Sequence, residues 1–285
     1  MSLSRALLLA LCMASCTSAL PTHAQGAPAG REYRVLLVGN SLTYTNNLPA
    51  LLRAVGASQG TPIATETYAA PGGSLAERWH DGHVAEALRN RKFDVVVLQE
   101  MGGQVACVAS ASQQRKAPCA ASVQAHAGLA SLATAAGART LLLTTWARDD
   151  RGQARIDRGM RELAKQTGAT IFDGARAIES LRKAQPDSRP YPDGTHPSTQ
   201  ASLMLALALY RDIAGSAPVA RDLRVTAPLL PVNAAVSAAL SMESQSAVAG
   251  TGKVTVVPAS LIEPLVEALP EAKASAEVDP SGRRR

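Results

Sequence analysis

Aromatic side chains are nearly missing from this chain. Two Phe, two Trp and five Tyr make up 3% of 285 residues, and none follows Tyr210. Core volume must therefore come from Leu, Val, Ile and Ala. The scarcity also removes the usual footprint of a nucleic-acid binder, basic patches interleaved with aromatics. The formal charge of +6 does not restore it, because three of the positive charges are Arg283, Arg284 and Arg285 at the very end.

Cysteine is almost as sparse. Cys12 and Cys16 lie in an N-terminal stretch that reads as an export signal: Arg5 supplies the positive charge, residues 6–13 a short apolar run, and Thr22-His23-Ala24 a small-residue cleavage site. Lipidation at Cys16 is the weaker alternative, since Met13 is a poor first lipobox residue. Removing residues 1–24 lowers the charge to +5, and no transmembrane segment is expected in the mature chain, whose other apolar stretches are too short to span a bilayer. Localisation is therefore read as periplasmic or secreted.

Two cysteines then remain, Cys107 and Cys119, and in an exported protein they are expected to form a disulfide. Paired histidines at ligand spacing are missing too. "HDGH" (80–83) offers His80 and His83, but two ligands three apart do not make a metal site. No metal or organic cofactor is expected.

What the chain does contain is a regular alternation of continuous apolar strands and helical patterns. Strands are read at 33–40, 61–70, 93–100, 139–147 and 169–175. Helices are read at about 47–58, 74–90, 122–136, after Asp149 or Asp150, and at 198–213, the last apolar almost all round. The stretch 101–121 is read as a Gly/Ser-rich loop. Such an order predicts an α/β fold, a three-layer α/β/α sandwich with a five-stranded parallel sheet. Ligands then bind at the carboxyl ends of the strands.

The domain reading is a signal (1–24), a linker (25–32), one α/β domain (33–214) and an Ala/Pro-rich C-terminal extension (215–285). Seven prolines fall between 218 and 280. The extension is expected to wrap the domain to about residue 245 and then become poorly ordered. A strand and short helix at 253–269 are an added expectation.

Two short stretches carry chemistry. "VGNSLT" places Ser41 on a glycine turn at the end of the first strand. Taken alone, a serine there is an ordinary helix cap. "YPDGTHPS" (191–198) adds Asp193 and His196, three apart in a loop before the last long helix. That spacing lets the carboxylate fix the imidazole tautomer, leaving Nε2 as a base for a serine hydroxyl. Both stretches fall on one sheet edge, a Ser-His-Asp constellation.

With these motifs, residues 33–214 resemble the SGNH (GDSL-like) hydrolase family, which is flavodoxin-like in fold. "VGNSLT" resembles its nucleophile block, "APGGSL" its glycine block and "DGTHPS" its Asp-x-x-His block. The resemblance implies Ser41 as nucleophile, His196 as base and Asp193 as its partner, with the N–H groups of Ser41 and Gly73 in the oxyanion hole. Members of the family carry Asn after the third strand as a further donor. Here the strand ends "VVLQEMGGQ", so Gln99 takes that expected role, with Gln104 the second candidate.

The function implied is ester hydrolysis through an acyl-enzyme, on a small-molecule or carbohydrate ester with a short acyl group, O-acetyl among them. The alternatives are acyl transfer and a non-catalytic carbohydrate- or envelope-binding module. Trp146, ending the fourth strand, is read as either core filler or a substrate wall. Asp173 is expected to cap the following helix, Glu100 to bond locally and His126 to serve packing or surface.

Overall fold

A computed structural model of the chain describes residues 31–250 and 252–271. The expected signal, Cys12, Cys16 and the terminal arginines lie outside them.

Five strands, β1 (Tyr33–Asn40), β2 (Ile63–Ala70), β3 (Val95–Gln99), β4 (Arg139–Leu143) and β5 (Thr170–Phe172), form one parallel sheet in the order β2-β1-β3-β4-β5. Parallel strands need crossover connections, and helices supply them. Those helices are α1 (Ser41–Tyr44), α2 (Leu48–Ser58), α3 (Leu75–His80), α4 (His83–Asn90), α5 (Gly102–Val108), α6 (Ala111–Gln114), α7 (Ala117–Ala135), α8 (Asp150–Thr167) and α9 (Gly174–Ala184). A final long helix, α10 (Thr199–Ala214), follows.

Side chains on a strand alternate between faces, and the core divides accordingly. Val35, Leu37, Val95, Val97, Leu141 and Leu143 pack with α2, α9 and α10 on one face. Leu36, Val38, Val96, Leu98 and Leu142 pack with α3, α4, α5, α7 and α8 on the other. This is the expected three-layer α/β/α sandwich. The order reverses between β1 and β3, which opens a crevice at their carboxyl ends.

Three local expectations are corrected. The helix read at 74–90 is two, broken at Asp81-Gly82, where Gly82 takes φ +78°. The 101–121 stretch is largely helical, holding α5, α6 and the start of α7.

The third correction concerns the C-terminus. Beyond residue 245 the chain forms a one-turn helix α11 (Ser246–Ala249), a strand β7 (Thr255–Val257) antiparallel to β6 (Leu223–Val225), and a helix α12 (Ala259–Glu267). Leu223, Val225, Val257, Ile262 and Leu265 join the same core as β1 and α10. The expected strand and short helix at 253–269 are there. The expected poor order is not found at residues 246–250 and 252–271, because these aliphatics find a surface on α2 and α10 to cover. Glu243, in a 3-10 turn, lies against the outer edge of β2. It accepts from Thr67 N (2.8 Å), Thr67 Oγ1 (2.9 Å) and Thr65 Oγ1 (2.7 Å), which occupies donors an edge strand leaves open.

A chain ending at residue 245 loses Val257, Ile262 and Leu265. At about 1.5–3 kcal/mol per buried aliphatic side chain, that approaches the net stability of an ordinary domain, about 5–15 kcal/mol. Such a truncation is expected to give aggregated or molten protein by circular dichroism and thermal melting. A cooperative melt within a few degrees of the parent would show that the extension is dispensable.

Candidate active site

At the end of β1 the backbone stops pairing as a strand and turns into α1. Asn40 caps that turn, its Oδ1 accepting from Leu42 N (3.1 Å), while its Nδ2 donates to Gly73 O (3.0 Å). Ser41 is therefore the first residue of a helical turn, where backbone N–H groups have no intrahelical acceptor.

Facing it is the loop between α9 and α10. Asp193 Oδ1 accepts from Thr195 N (2.9 Å) and His196 N (2.8 Å), and its Oδ2 meets His196 Nδ1 at 2.7 Å. His196 Nε2 lies 2.9 Å from Ser41 Oγ. The expected trio thus stands in one hydrogen-bonded row. Hydrogen bonds from the His196 N–H, the His196 ring and the Thr195 N–H pull the Asp193 carboxyl down to about 2. Each stabilises the ionised form.

Trp146 Nε1 donates to Thr195 O (2.7 Å), and the indole stacks on Tyr191 at 5.1 Å between ring centroids. Trp146 is thus both a wall of the cleft and a prop for the loop that carries Asp193 and His196. The cleft measures about 1400 Å³ and runs from Asn40, Ser41 and Gly72 past Gly102 and Gly103 to Trp146 and Tyr191. Its far side is lined by charged residues of α8 and α9, among them Arg155, Asp157, Arg176 and Arg182. Asp173 caps α9 as expected, accepting from Arg176 N (3.1 Å).

Of the expected oxyanion donors, Ser41 lines the cleft, and Gly73 and Gln99 do not. Gly73 N–H closes a turn onto Ala70 O (3.1 Å) and is engaged there. Pro71 and Gly72, the latter at φ +62°, fit the central positions of a type II turn. The turn's own bond does not use Gly72 N–H, and Gly72 lines the cleft. The sequence signal for it was present, since Pro-Gly marks this turn type, but two adjacent glycines hid which N–H the turn consumes.

Gln99 is also corrected. Its side chain is 1% exposed and points along the sheet rather than into the cleft. Oε1 accepts from Asn40 N (3.0 Å) and Thr43 Oγ1 (2.9 Å), and Nε2 donates to Glu100 O (3.0 Å). Gln99 thus braces the backbone on both sides of Ser41. The brace explains Gly39, because a Cβ there would sit 2.6 Å from Gln99 Oε1 and closer still to Thr43 Oγ1. Gln104 sits in the first turn of α5, outside the residues that line the cleft.

Glu100, fully buried, accepts from Met101 N (2.8 Å), Leu75 N (3.2 Å) and Ser122 Oγ (3.0 Å). Burial pushes its carboxyl up, and the three donors oppose that. It ties the segment after Gly72-Gly73 to the segment before Gly102-Gly103. His126, one turn beyond Ser122, is 1% exposed, which resolves its expected role as packing. Cys107 and Cys119 are bridged, fastening α5 to α7.

No family model matches the chain, and no curated protein does. Solved structures share its fold. A DUF4886 family protein from Bacteroides uniformis ATCC 8492 superposes with a TM-score of 0.51 at 14% identity, over 65% of this chain and 84% of that one. Axe2, an acetylxylan esterase from Geobacillus stearothermophilus, gives 0.44 at 20% identity over 65% and 95%. LAE5, an alpha/beta hydrolase from the metagenome of Lake Arreo, Spain, gives 0.47 at 17% over 65% and 96%. At 14% identity the first of these likenesses is one of fold alone.

Two outcomes follow from this geometry. Gln99→Ala frees Asn40 N–H and Thr43 in the interior, at about 1–3 kcal/mol per unsatisfied buried group. Gln99→Glu keeps the acceptor but puts a carboxylate oxygen against Glu100 O. Both are expected to lower the melting temperature. A Gln99→Ala protein as stable as the parent would contradict the brace.

His126 concerns pH. Burial lowers its imidazole from the ordinary 6.5 to about 4. Between those values the unfolded chain binds a proton that the folded one does not, so stability falls as pH drops through that window. His126→Gln is expected to flatten the pH dependence of urea midpoints there, and an unchanged slope would contradict it.

Proposed function

We propose that this chain is an exported serine hydrolase of the SGNH type, cleaving carboxylic esters through an acyl-enzyme. The observation that carries the reading is the row Ser41 Oγ, His196 Nε2, His196 Nδ1, Asp193 Oδ2, with separations of 2.9 and 2.7 Å. A serine hydroxyl is a weak nucleophile until a base takes its proton.

In this mechanism His196 Nε2 accepts the Ser41 proton as Oγ attacks the ester carbonyl. Asp193 stays ionised and stabilises the imidazolium. The N–H groups of Ser41 and Gly72 hold the developing oxyanion, an interaction that strengthens in the transition state. The imidazolium then gives its proton to the leaving alcohol oxygen, and an acyl ester on Ser41 remains. Water repeats the sequence, deprotonated by His196, to release the acid and restore the hydroxyl. The cleft is wide enough for a sugar-sized alcohol, and the Trp146–Tyr191 stack offers the flat apolar face that a pyranose ring packs against. A carbohydrate ester with a short acyl group is therefore the proposed substrate.

Ser41→Ala and His196→Ala are each expected to cut p-nitrophenyl acetate hydrolysis roughly 10⁴–10⁶-fold, with the double variant little worse, because the residues act as a unit. A fluorophosphonate is expected to label Ser41 in the parent. Unlabelled Ser41 in an inactive parent would leave the fold as a binding module, and full activity in Ser41→Ala would overturn Ser41 as the nucleophile.

A further inference from the structure

Two asparagines follow the candidate nucleophile turn, and both hold backbone that L-residues avoid. Asn46 has φ +57° and ψ +10°, and Asn47 has φ +56° and ψ +56°. They are the non-glycine residues at positive φ among the described residues. Asn tolerates this region better than other side chains do, yet two in succession is an arrangement the surroundings must enforce.

Those surroundings differ for the two. Asn47 serves the fold: its Oδ1 caps α2 through Ala50 N (3.3 Å), and its Nδ2 donates to Pro228 O (3.0 Å) and Val248 O (3.3 Å) in the C-terminal extension. Asn46 serves the site. Its Nδ2 donates to Pro197 O (2.8 Å) and Ser202 Oγ (3.0 Å), and its Oδ1 accepts from Thr199 Oγ1 (3.1 Å). Its backbone N–H donates to Leu230 O (2.8 Å). Pro197 directly follows His196.

The Ser41 segment and the His196 segment are 155 residues apart in sequence. Each is internally rigid: Gln99 braces residues 40–43, and Asp193 with Trp146 fixes the 193–196 loop. Apart from the Ser41–His196 pair itself, every hydrogen bond among the described residues that joins 41–47 to 193–202 runs through the Asn46 side chain.

We infer that Asn46 is a positioning residue that sets the separation between Ser41 and His196 by clamping the first active-site segment to the backbone behind the second. The inference rests on the hydrolase reading for its catalytic consequence, but not for its geometry. The left-handed backbone is what turns the amide toward Pro197, and the amide in turn holds the backbone there.

Asn46→Gly tests this directly, because glycine keeps the positive φ without strain and loses only the amide. Asn46→Asp is the complementary variant, keeping shape and the acceptor for Thr199 while setting a carboxylate oxygen against Pro197 O. Both are expected to lower kcat for p-nitrophenyl acetate about 10–100-fold, the scale of an ångström-level misalignment of reacting groups. KM is expected to stay within about twofold. Partial loss of fold would also lower apparent kcat at unchanged KM, so kcat is expressed per folded molecule, counted by circular dichroism. Crystal structures of the two variants are expected to show Ser41 Oγ and His196 Nε2 beyond hydrogen-bond reach. A parent-like kcat in Asn46→Gly, or an unchanged Ser41–His196 separation, overturns the clamp. A parent protein inert to fluorophosphonate overturns the hydrolase reading instead, and the crystallographic separation then decides the clamp by itself.

Discussion

The end of β1 must satisfy two opposed demands. The strand has to stop pairing so that Ser41 projects from the sheet, yet its last backbone groups stay buried and require partners. An unpaired buried N–H costs about as much as a lost hydrogen bond. The bond from Asn40 N to Gln99 Oε1 resolves the conflict: a side chain from β3 replaces the ladder where the ladder ends. The reversal of strand order between β1 and β3 opens the crevice, and Gln99 ties the two strand ends beneath it. Gly39 is required because the brace fills the space a side chain would take. Glu100, the next residue, extends the bracing to the segments on either side, at Leu75 and Met101.

A buried carboxylate such as Glu100 is a poor source of stability in itself, since desolvation opposes the gain from its bonds. Its three donors come from the start of α3, its own following residue and α7. Removing any of them leaves a buried polar oxygen short of a partner, so the arrangement resists local opening near the cleft. The disulfide acts on the same region by tying α5 to α7. A cross-link closing so short a loop is worth about 3 kcal/mol by its effect on the unfolded chain. It restrains the α5 segment that contributes Gly102 and Gly103 to the cleft.

The sheet was legible because fully buried parallel strands read as unbroken apolar runs, and "VVVLQ" or "RTLLL" has little other meaning. Ser41, Asp193 and His196 were legible because each sits at a break the sequence marks, Gly-Asn before the serine and Pro-Asp-Gly before the histidine. Gln99 misled because a strand pattern says which residue reaches the end, but not whether its amide turns outward or back along the sheet. That choice is made by Asn40 N–H, a backbone group without sequence identity. Gly72 and Gly73 were confused for a related reason: the turn assigns their N–H groups, and the letters are the same. The C-terminal extension lacks aromatics and helical periodicity of any length, so its burial became visible only through the partners it covers, α2 and α10.

One consequence of this architecture joins stability to chemistry. The Ser41 side of the site is held from three directions: by β3 through Gln99, by the α10 segment through Asn46, and by the extension through Tyr44 and Asn47. Tyr44 Oη donates to Val232 O (2.6 Å), and its ring belongs to a small cluster with Leu230, Val236, Met242 and Val248. Residues 228–248, far along the chain, thus pack behind the first segment of the site. Two left-handed asparagines in succession persist only where such neighbours outweigh their strain. The precision of the Ser41–His196 pair therefore depends on residues far along the chain that touch neither member of it.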